Sequence, residues 1–523
     1  MSWRPWKYCT EPHGIQQYSR PFSCSVDSTS YLPFADPLTY SQSIPYSQIS
    51  MDSHSRPSFF VPLLETLLTL VITASFSHPA FGEGFRILDQ SASATAQGGA
   101  FAAQADDPSA VHYNPAAITD LPSLQMTVGT LLVNGAIDFR PPSGPAIEGD
   151  FGGTFANPPP SSFFVSARLG DLMSPSFDSW TLGLGVYSPF GNITSYPRSS
   201  GITPILTRTA SPILDITPTV AFRAHPMLAL GAGLDIYTFS DLFGEGHVEI
   251  QQTAADLARA GFPFAPNDHT ELNGRDTALG YHAGLLFTPV RNEREQPLVN
   301  VALVYRSRVT LNLKGQLLNG SRGFALGAKA DLNLPQVVTA GLAVWPMRNA
   351  QREWKLEIDV DYADWTSFDH LDVTLSNGAV LPNPRNWQTS YVVMAGTEYK
   401  FISPALLPSW DIAIRGGYVF ADSPVPERTF KPDVPDSNSH SYSAGIGFLC
   451  RRGGTFLGVI PCGTAQEGLG LAALGFDLAY QGIFYQSRSI SNNQDPRVHG
   501  VWDTTIHVVS LNLRANFDVS RAD

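Results

Sequence analysis

From residue 123 to 517 the chain alternates apolar and polar positions in short runs separated by turn-rich links. "WKLEIDVDY" (354–362) shows the pattern plainly. Trp354, Leu356, Ile358, Val360 and Tyr362 fall on one face, and Lys355, Glu357, Asp359 and Asp361 on the other. A period of two marks a strand with one apolar and one polar side. Fourteen such segments can be read: 124–133, 162–170, 180–188, 215–224, 228–239, 278–287, 299–313, 325–345 (kinked at Pro335), 354–375, 387–401, 410–420, 441–449, 474–486 and 505–517. The links 225–227, 288–297, 346–353 and 402–408 fall on one side, and the longer 140–160, 189–214, 240–277 and 421–440 on the other.

An even number of strands joined by alternately short and long links is the pattern of an outer-membrane barrel. A soluble sandwich would bury the apolar face of each strand. A membrane barrel turns that face to lipid and the charged face to the lumen, and closure alone satisfies a strand backbone in lipid. Trp345, Trp354, Tyr362, Trp365, Trp387, Tyr399, Phe401, Trp410 and Phe420 lie near strand ends and suit interfacial aromatic girdles. The expected fold is all-β, a fourteen-stranded antiparallel transmembrane β-barrel.

Composition narrows the function. Charged residues are 15% of the chain and the net charge is −13, which argues against a nucleic-acid partner. One long apolar run, "FFVPLLETLLTLVITASF" (59–76), is interrupted by Pro62 and Glu65 and fits the core of an export signal better than a spanning helix. We expect residues 1–50 to be a non-native or disordered extension, with translation starting at Met51, and 51–80 to be the signal. A segment over 81–122, a barrel over 123–517 and a short tail over 518–523 follow. Cys450 and Cys462 close "CRRGGTFLGVIPC" and are expected to form a disulfide in an oxidising compartment. No metal and no other cofactor is expected. His282, His440 and His507 occur without a nucleophile motif such as G-x-S-x-G, so the chain does not read as an enzyme.

The stretch "DDPSAVHYNPAAIT" (106–119) breaks the alternation. Asn114-Pro115 disfavours the helical region at Asn114 and removes a donor at Pro115, a stiff join just ahead of the first strand. Before it run Ala92, Ala94, Ala96, Gly98, Gly99, Ala100, Ala102 and Ala103, whose small side chains permit close packing.

The stretch "GFRILDQSASATAQGGAFAAQADDPSAVHYNPAAIT" (84–119) resembles the N-terminal hatch of the FadL family. "LPQVVTAGLAVWP" (334–346), "DYADWTSFDHL" (361–371), "NWQTSYVVMAGTEYKF" (386–401) and "IRGGYVFADSPVPERTFKPDVPDSNSHSYSAGIGF" (414–448) resemble later parts of that family in the same order. The resemblance implies a monomer in the bacterial outer membrane, in contact with its lipid and lipopolysaccharide, with the N-terminal hatch plugging the lumen. It implies passive uptake of long-chain fatty acids or similar hydrophobic molecules, captured at extracellular loops and diffusing past the hatch. Small aromatic hydrocarbons are the alternative cargo, and a general porin is a third reading.

Candidate residues follow from the same resemblance. Asn114, Pro115 and Ala116 would form the hatch's join to the wall, and Phe85 the aromatic that the hatch brings toward the ligand pocket. In the loop 240–277, Val248, Ala255, Leu257, Ala258 and Phe262 would form the apolar side of a short helix, with Phe262 and Phe264 as anchors of a capture groove. Alternation points Arg415 and Arg306 inward, so Arg415, in "RGGY", is the first candidate for a ligand carboxylate and Arg306 the second. The same cations could instead pair with Glu357, Asp359, Asp361 and Glu398. Two departures stand out: six residues follow Phe517, and the cysteine turn is longer than a periplasmic link should be.

Overall fold

The computed structural model describes residues 83–156, 159–241, 244–463 and 468–520. The expected extension and export signal, with residues 81–82 and 521–523, lie outside the described residues.

Fourteen wall strands run in chain order: β1 Leu124–Arg140, β2 Ser161–Arg168, β3 Trp180–Phe190, β4 Ile213–His225, β5 Leu228–Thr238, β6 Ala278–Arg291 and β7 Pro297–Arg306, then β8 Gln336–Arg348, β9 Arg352–Asp364, β10 Ser390–Ile402, β11 Trp410–Ala421, β12 Ser439–Arg451, β13 Gly468–Tyr485 and β14 Gly500–Ser520. Each pairs antiparallel with the next. β14 returns to β1, from Leu124↔Phe517 to Arg140↔Val501, and closes the ring. Closure leaves no edge strand, the condition for a sheet in lipid. Among the described residues no helix is long and apolar enough to cross a membrane.

Burial follows the alternation in the sense that lipid demands. Lys355 and Asp359 are each 1% exposed, whereas Leu279 is 69% and Leu303 50% exposed. Charge points in and hydrocarbon points out, the reverse of a water-soluble core.

Several strand limits differ from the sequence expectation. The run 299–313 divides at Ser307-Arg308 and the run 325–345 at Pro335. Their outer pieces, Val309–Asn319 and Phe324–Leu334, pair with each other as a hairpin rising above the wall. Pro335 has no N–H to continue the wall ladder, so the break falls there. The run 354–375 ends as wall at Asp364, because Trp365–Ser367 forms a 3-10 turn. The last strand continues to Ser520, so three of the six residues after Phe517 are still strand.

The wall also has a step. β2 has eight residues beside the seventeen of β1, and their pairing stops at Thr130↔Ser161. Beyond it, β1 pairs with residues 147–150 instead.

The N-terminal segment 83–122 lies within the ring, held by backbone donors to inward side chains. The N–H groups of Phe101 and Ala102 both donate to Asp359 Oδ2 at 2.8 Å, that of Ala103 to Glu357 Oε1 at 2.7 Å, and that of Ala92 to Asn512 Oδ1 at 3.0 Å. The wall makes room with glycine: a Cβ on Gly417 would stand 2.1 Å from the Gln97 carbonyl carbon.

Candidate functional site

At the leading end of the N-terminal segment, Phe85 sits in a nest of aromatic rings. Its centroid is 4.8 Å from Trp365, 5.7 Å from Trp387, 5.8 Å from Phe368 and 6.0 Å from Phe190. Trp365 and Trp387, expected in the lipid girdle, are interior residues. The chain leaves the wall ladder after Asp364 and turns inward, so alternation no longer decides which way they face. Trp345 is also buried, with the Arg348 guanidinium 4.7 Å above its ring. Arg86 next to Phe85 pairs with Asp361 at 2.6 Å, and the Gly84 N–H donates to Asp436 Oδ2 at 3.1 Å.

Beside this end lies a cavity of about 210 Å³ lined by Ile87, Leu131, Phe190, Val419, Ile483 and Val508, among others. Its charged lining among the described residues is Glu83, Arg86 and Asp89, and Arg86 is already neutralised by Asp361. Val133, Phe151, Ala156 and Pro160 close it on the side where β2 stops short.

Burial pushes the Glu83 carboxyl up to about 8 and that of Asp436 up to about 7. A carboxyl raised in the folded state stabilises it fully below its unfolded pKa of about 4, and that contribution fades as pH rises through the folded value. The leading end should therefore loosen progressively from about pH 4 to about pH 8. Amide exchange over residues 84–90, corrected for intrinsic rates, should rise severalfold across that range, and Asp436→Asn should flatten the rise. A flat profile in the parent protein would remove both carboxyls from this role.

The join to the wall is built as a cap. The Asn114 side chain accepts from the Ala116 N–H at 3.0 Å and donates to the Ala102 and Leu285 carbonyls at 2.9 and 3.2 Å. Pro115 opens a 3-10 turn, Pro115–Asp120, whose backbone lies against Gly231; a Cβ there would stand 2.4 Å from the Pro115 carbonyl carbon. Ala116 is fully buried.

The two expected carboxylate-binding cations are committed elsewhere. Arg415 Nε donates to Glu398 Oε2 at 2.7 Å and its Nη1 to Asp477 Oδ1 at 2.5 Å, outside the cavity lining. Arg306 bridges Asp235 at 2.5 Å and Asp215 at 3.1 Å and donates to the Tyr187 hydroxyl at 3.0 Å. Asp235 in turn meets His282 Nδ1 at 2.8 Å. Alternation placed both cations inward correctly. It could not show that acidic partners reach them first, Glu398 from the adjacent strand and Asp215, Asp235 and Asp477 from strands two or three places away in the ring.

Phe262 and Phe264 also change role. They stack on each other with centroids 5.9 Å apart, and Phe264 packs edge-on against Phe324 of the raised hairpin at 4.9 Å. The expected helix shortens to Ala255–Arg259, and Val248 lies in a strand, Val248–Thr253. Leu257 from this helix instead lines an outer cavity of about 590 Å³, with Leu206, Ile250, Leu272, Val373 and Phe430. Arg385, Arg428, Lys431 and Arg497 border the same space together with Asp256, Asp433 and Asp495, and Arg385 pairs with Asp433 and Arg497 with Asp256 and Asp495. Burial lowers Lys431 to about 8, and its Nζ donates to Asn383 Oδ1 at 2.6 Å. Nearby on the upper sheet, His247 Nε2 stands 3.9 Å from Glu249 and 4.0 Å from Glu271, and Arg208 already pairs with Glu249.

Sequence reasoning missed Arg86, Trp365, Phe368, Trp387 and Asp436 as neighbours of Phe85. The one available signal was two tryptophans placed where the period-two pattern lapses, at 365 and 387.

A family model for the outer membrane protein transport protein family (OMPP1/FadL/TodX) matches residues 73–453. A protein of Neisseria meningitidis serogroup B, provisionally named as an outer membrane protein, is 24% identical over 421 residues, covering 73% of this chain and 86% of that protein. A crystal structure of a Pseudomonas aeruginosa FadL homologue superposes with a TM-score of 0.63 at 18% identity, over 83% of this chain and 99% of that one. The Pseudomonas putida toluene transporter TodX gives a TM-score of 0.52 at 16% identity, over 84% and 99%. Closed ring, inward charge, outward hydrocarbon and the match along most of the chain lead to one conclusion: the chain belongs to the OMPP1/FadL/TodX family of outer-membrane transporters of hydrophobic compounds.

Proposed function

We propose that this barrel carries small uncharged hydrophobic molecules passively across the outer membrane, with the N-terminal segment 83–122 as its hatch. The observation that carries the reading is the charge balance of the inner cavity. A carboxylate entering there would find no free cation, because Arg86 is spent on Asp361 and the other titratable lining groups among the described residues, Glu83 and Asp89, are acids. A desolvated anion without a partner is costly, whereas a neutral ring loses nothing. Size points the same way: apolar cavities of about 150 Å³ accept benzene, and drug-sized ligands need about 300 Å³ or more. A cavity of about 210 Å³ suits a single ring better than a long acyl chain.

Cargo would enter through the outer cavity, whose apolar floor suits neutral amphiphiles and whose mixed-charge border places Arg428 and Lys431 beside the paired Arg385 and Arg497, where an anionic head group could sit. That border is the specific support for fatty acids as a second reading. From the inner cavity, the step beside β2 offers a way into the bilayer without displacing the whole hatch. Neither path needs an energy source.

Calorimetry on the purified protein with toluene, benzoate and oleate tests the reading. Toluene should bind at least about tenfold more tightly than benzoate, a difference of about 1.4 kcal/mol for one added carboxylate. Ile483→Trp, which fills the cavity, should abolish toluene binding. Equal affinity for benzoate, or oleate binding that is lost in Ile483→Trp, would overturn the neutral preference.

A further inference from the structure

No described residue of the cysteine-closed link between β12 and β13 lines the inner or the outer cavity. It folds back as a small hairpin in which Thr455 pairs with Pro461 and Phe456 with Ile460. Its position follows from ladder parity. Cys450 lies directly across from Trp410 on one side and Leu474 on the other. Directly opposed residues share a face of the sheet. Asp411, next to Trp410, points inward and pairs with Arg451. Trp410, Cys450 and Leu474 therefore face outward, toward lipid. The bond between Cys450 and Cys462 pins the hairpin to the outer surface of the wall instead of beneath the lumen.

Contacts agree with this placement. Phe456 of the hairpin stacks on Trp410, with centroids 6.1 Å apart and planes at 26°, and Trp410 also meets Phe448 at 6.4 Å. Beyond that aromatic group the hairpin displays bare hydrocarbon: Leu457 is 79% and Val459 78% exposed, with Ile460 beside them. The adjoining link, joined through the Arg451 N–H and the Ser409 carbonyl at 2.7 Å, adds Leu406 at 94% exposed and Leu407. Arg452 flanks the group, half-exposed and 3.8 Å from Asp518.

We propose that this hairpin, with Leu406 and Leu407, is a membrane anchor that inserts into the phospholipid leaflet at the periplasmic rim. Three features select lipid as the occupant. The patch adjoins the outward apolar face of β11, β12 and β13. Its base is aromatic, as at a membrane–water boundary, and its flank carries an arginine suited to lipid phosphate. The covalent staple limits the freedom of a short loop that would otherwise collapse its aliphatic residues together in water.

The test uses the full barrel in phospholipid nanodiscs with a photoreactive benzoylphenylalanine in place of Val459. Phospholipid adducts should form severalfold more efficiently there than from the same probe at Gln351, in an exposed turn on the same rim. Adding Leu457→Asp, which leaves the staple intact, should lower the yield severalfold. The pair Cys450→Ser and Cys462→Ser should do the same, with heat-modifiable migration reporting an intact barrel. Adduct formation at 459 no greater than at 351, or capture of periplasmic protein in place of lipid in intact outer membranes, would overturn the proposal.

Discussion

Arg415→Ala is expected to cost the barrel about 3 kcal/mol of stability and to leave ligand affinity unchanged. Arg415 is the shared donor of Glu398 and Asp477, all three within the wall and nearly inaccessible. Removing one partner of a buried ion group costs about 3–5 kcal/mol, because the charges left behind have neither water nor a cation. The low end applies here, since Lys400 remains 3.4 Å from Glu398 and Arg514 3.2 Å from Asp477. Denaturant titration in detergent, read by heat-modifiable migration, gives the stability change. Calorimetry with toluene and oleate gives the affinity. A ligand bound more weakly to an equally stable barrel would return Arg415 to the binding site.

Gly417→Val is expected to free the N-terminal segment from the lumen. The added Cβ would meet the Gln97 carbonyl carbon at 2.1 Å and the Gly98 nitrogen at 2.2 Å. Both are backbone atoms, so no side-chain rotation relieves the clash. Gly98 is itself held at a φ of +64°, which a residue with a Cβ rarely adopts, leaving the segment little room to adjust in place. Gly416→Ala is the neighbouring control, because the nearest atom to its new Cβ is 3.8 Å away. In proteoliposomes the valine variant should admit sugars severalfold faster than the parent or the alanine control, while still migrating as a folded barrel. Amide protection over residues 92–103 should fall with it. Unchanged swelling and protection would mean that the wall yields and the segment stays.

Much of the wall was legible before any coordinates. In "WKLEIDVDY" every second side chain is charged, and a strand offers only two sides, so Lys355, Glu357, Asp359 and Asp361 had to share one of them. Link lengths then settled parity, and all fourteen expected segments correspond to a wall strand. The failures came where period two ends. Nearness to strand ends puts Trp365 and Trp387 in the lipid girdle, but both sit past those ends, on chain that bends into the lumen. The raised hairpin 309–334 was invisible for a related reason: its strands continue the alternation of β7 and β8, and only pairing distinguishes them from wall.

The candidate site was read only in outline. Phe85 lies at the leading end of the N-terminal segment and in the lining of the inner cavity. Arg306 and Arg415 show the limit of one-dimensional reasoning. Alternation correctly turned each toward the lumen, but Asp215 and Asp235 for the one, and Asp477 for the other, come from strands distant in sequence.

By itself, the sequence determined the barrel, the strand number, the export-compatible cysteine pair and the direction most wall residues face, Trp345 excepted, because these depend on spacing along one chain. Tertiary structure alone decided which buried cations are spent, which aromatics enclose Phe85, and that the stapled hairpin lies on the lipid side. Those outcomes turn on contacts between elements that spacing along the chain does not specify, such as Phe85 with Trp365 or Arg306 with Asp215.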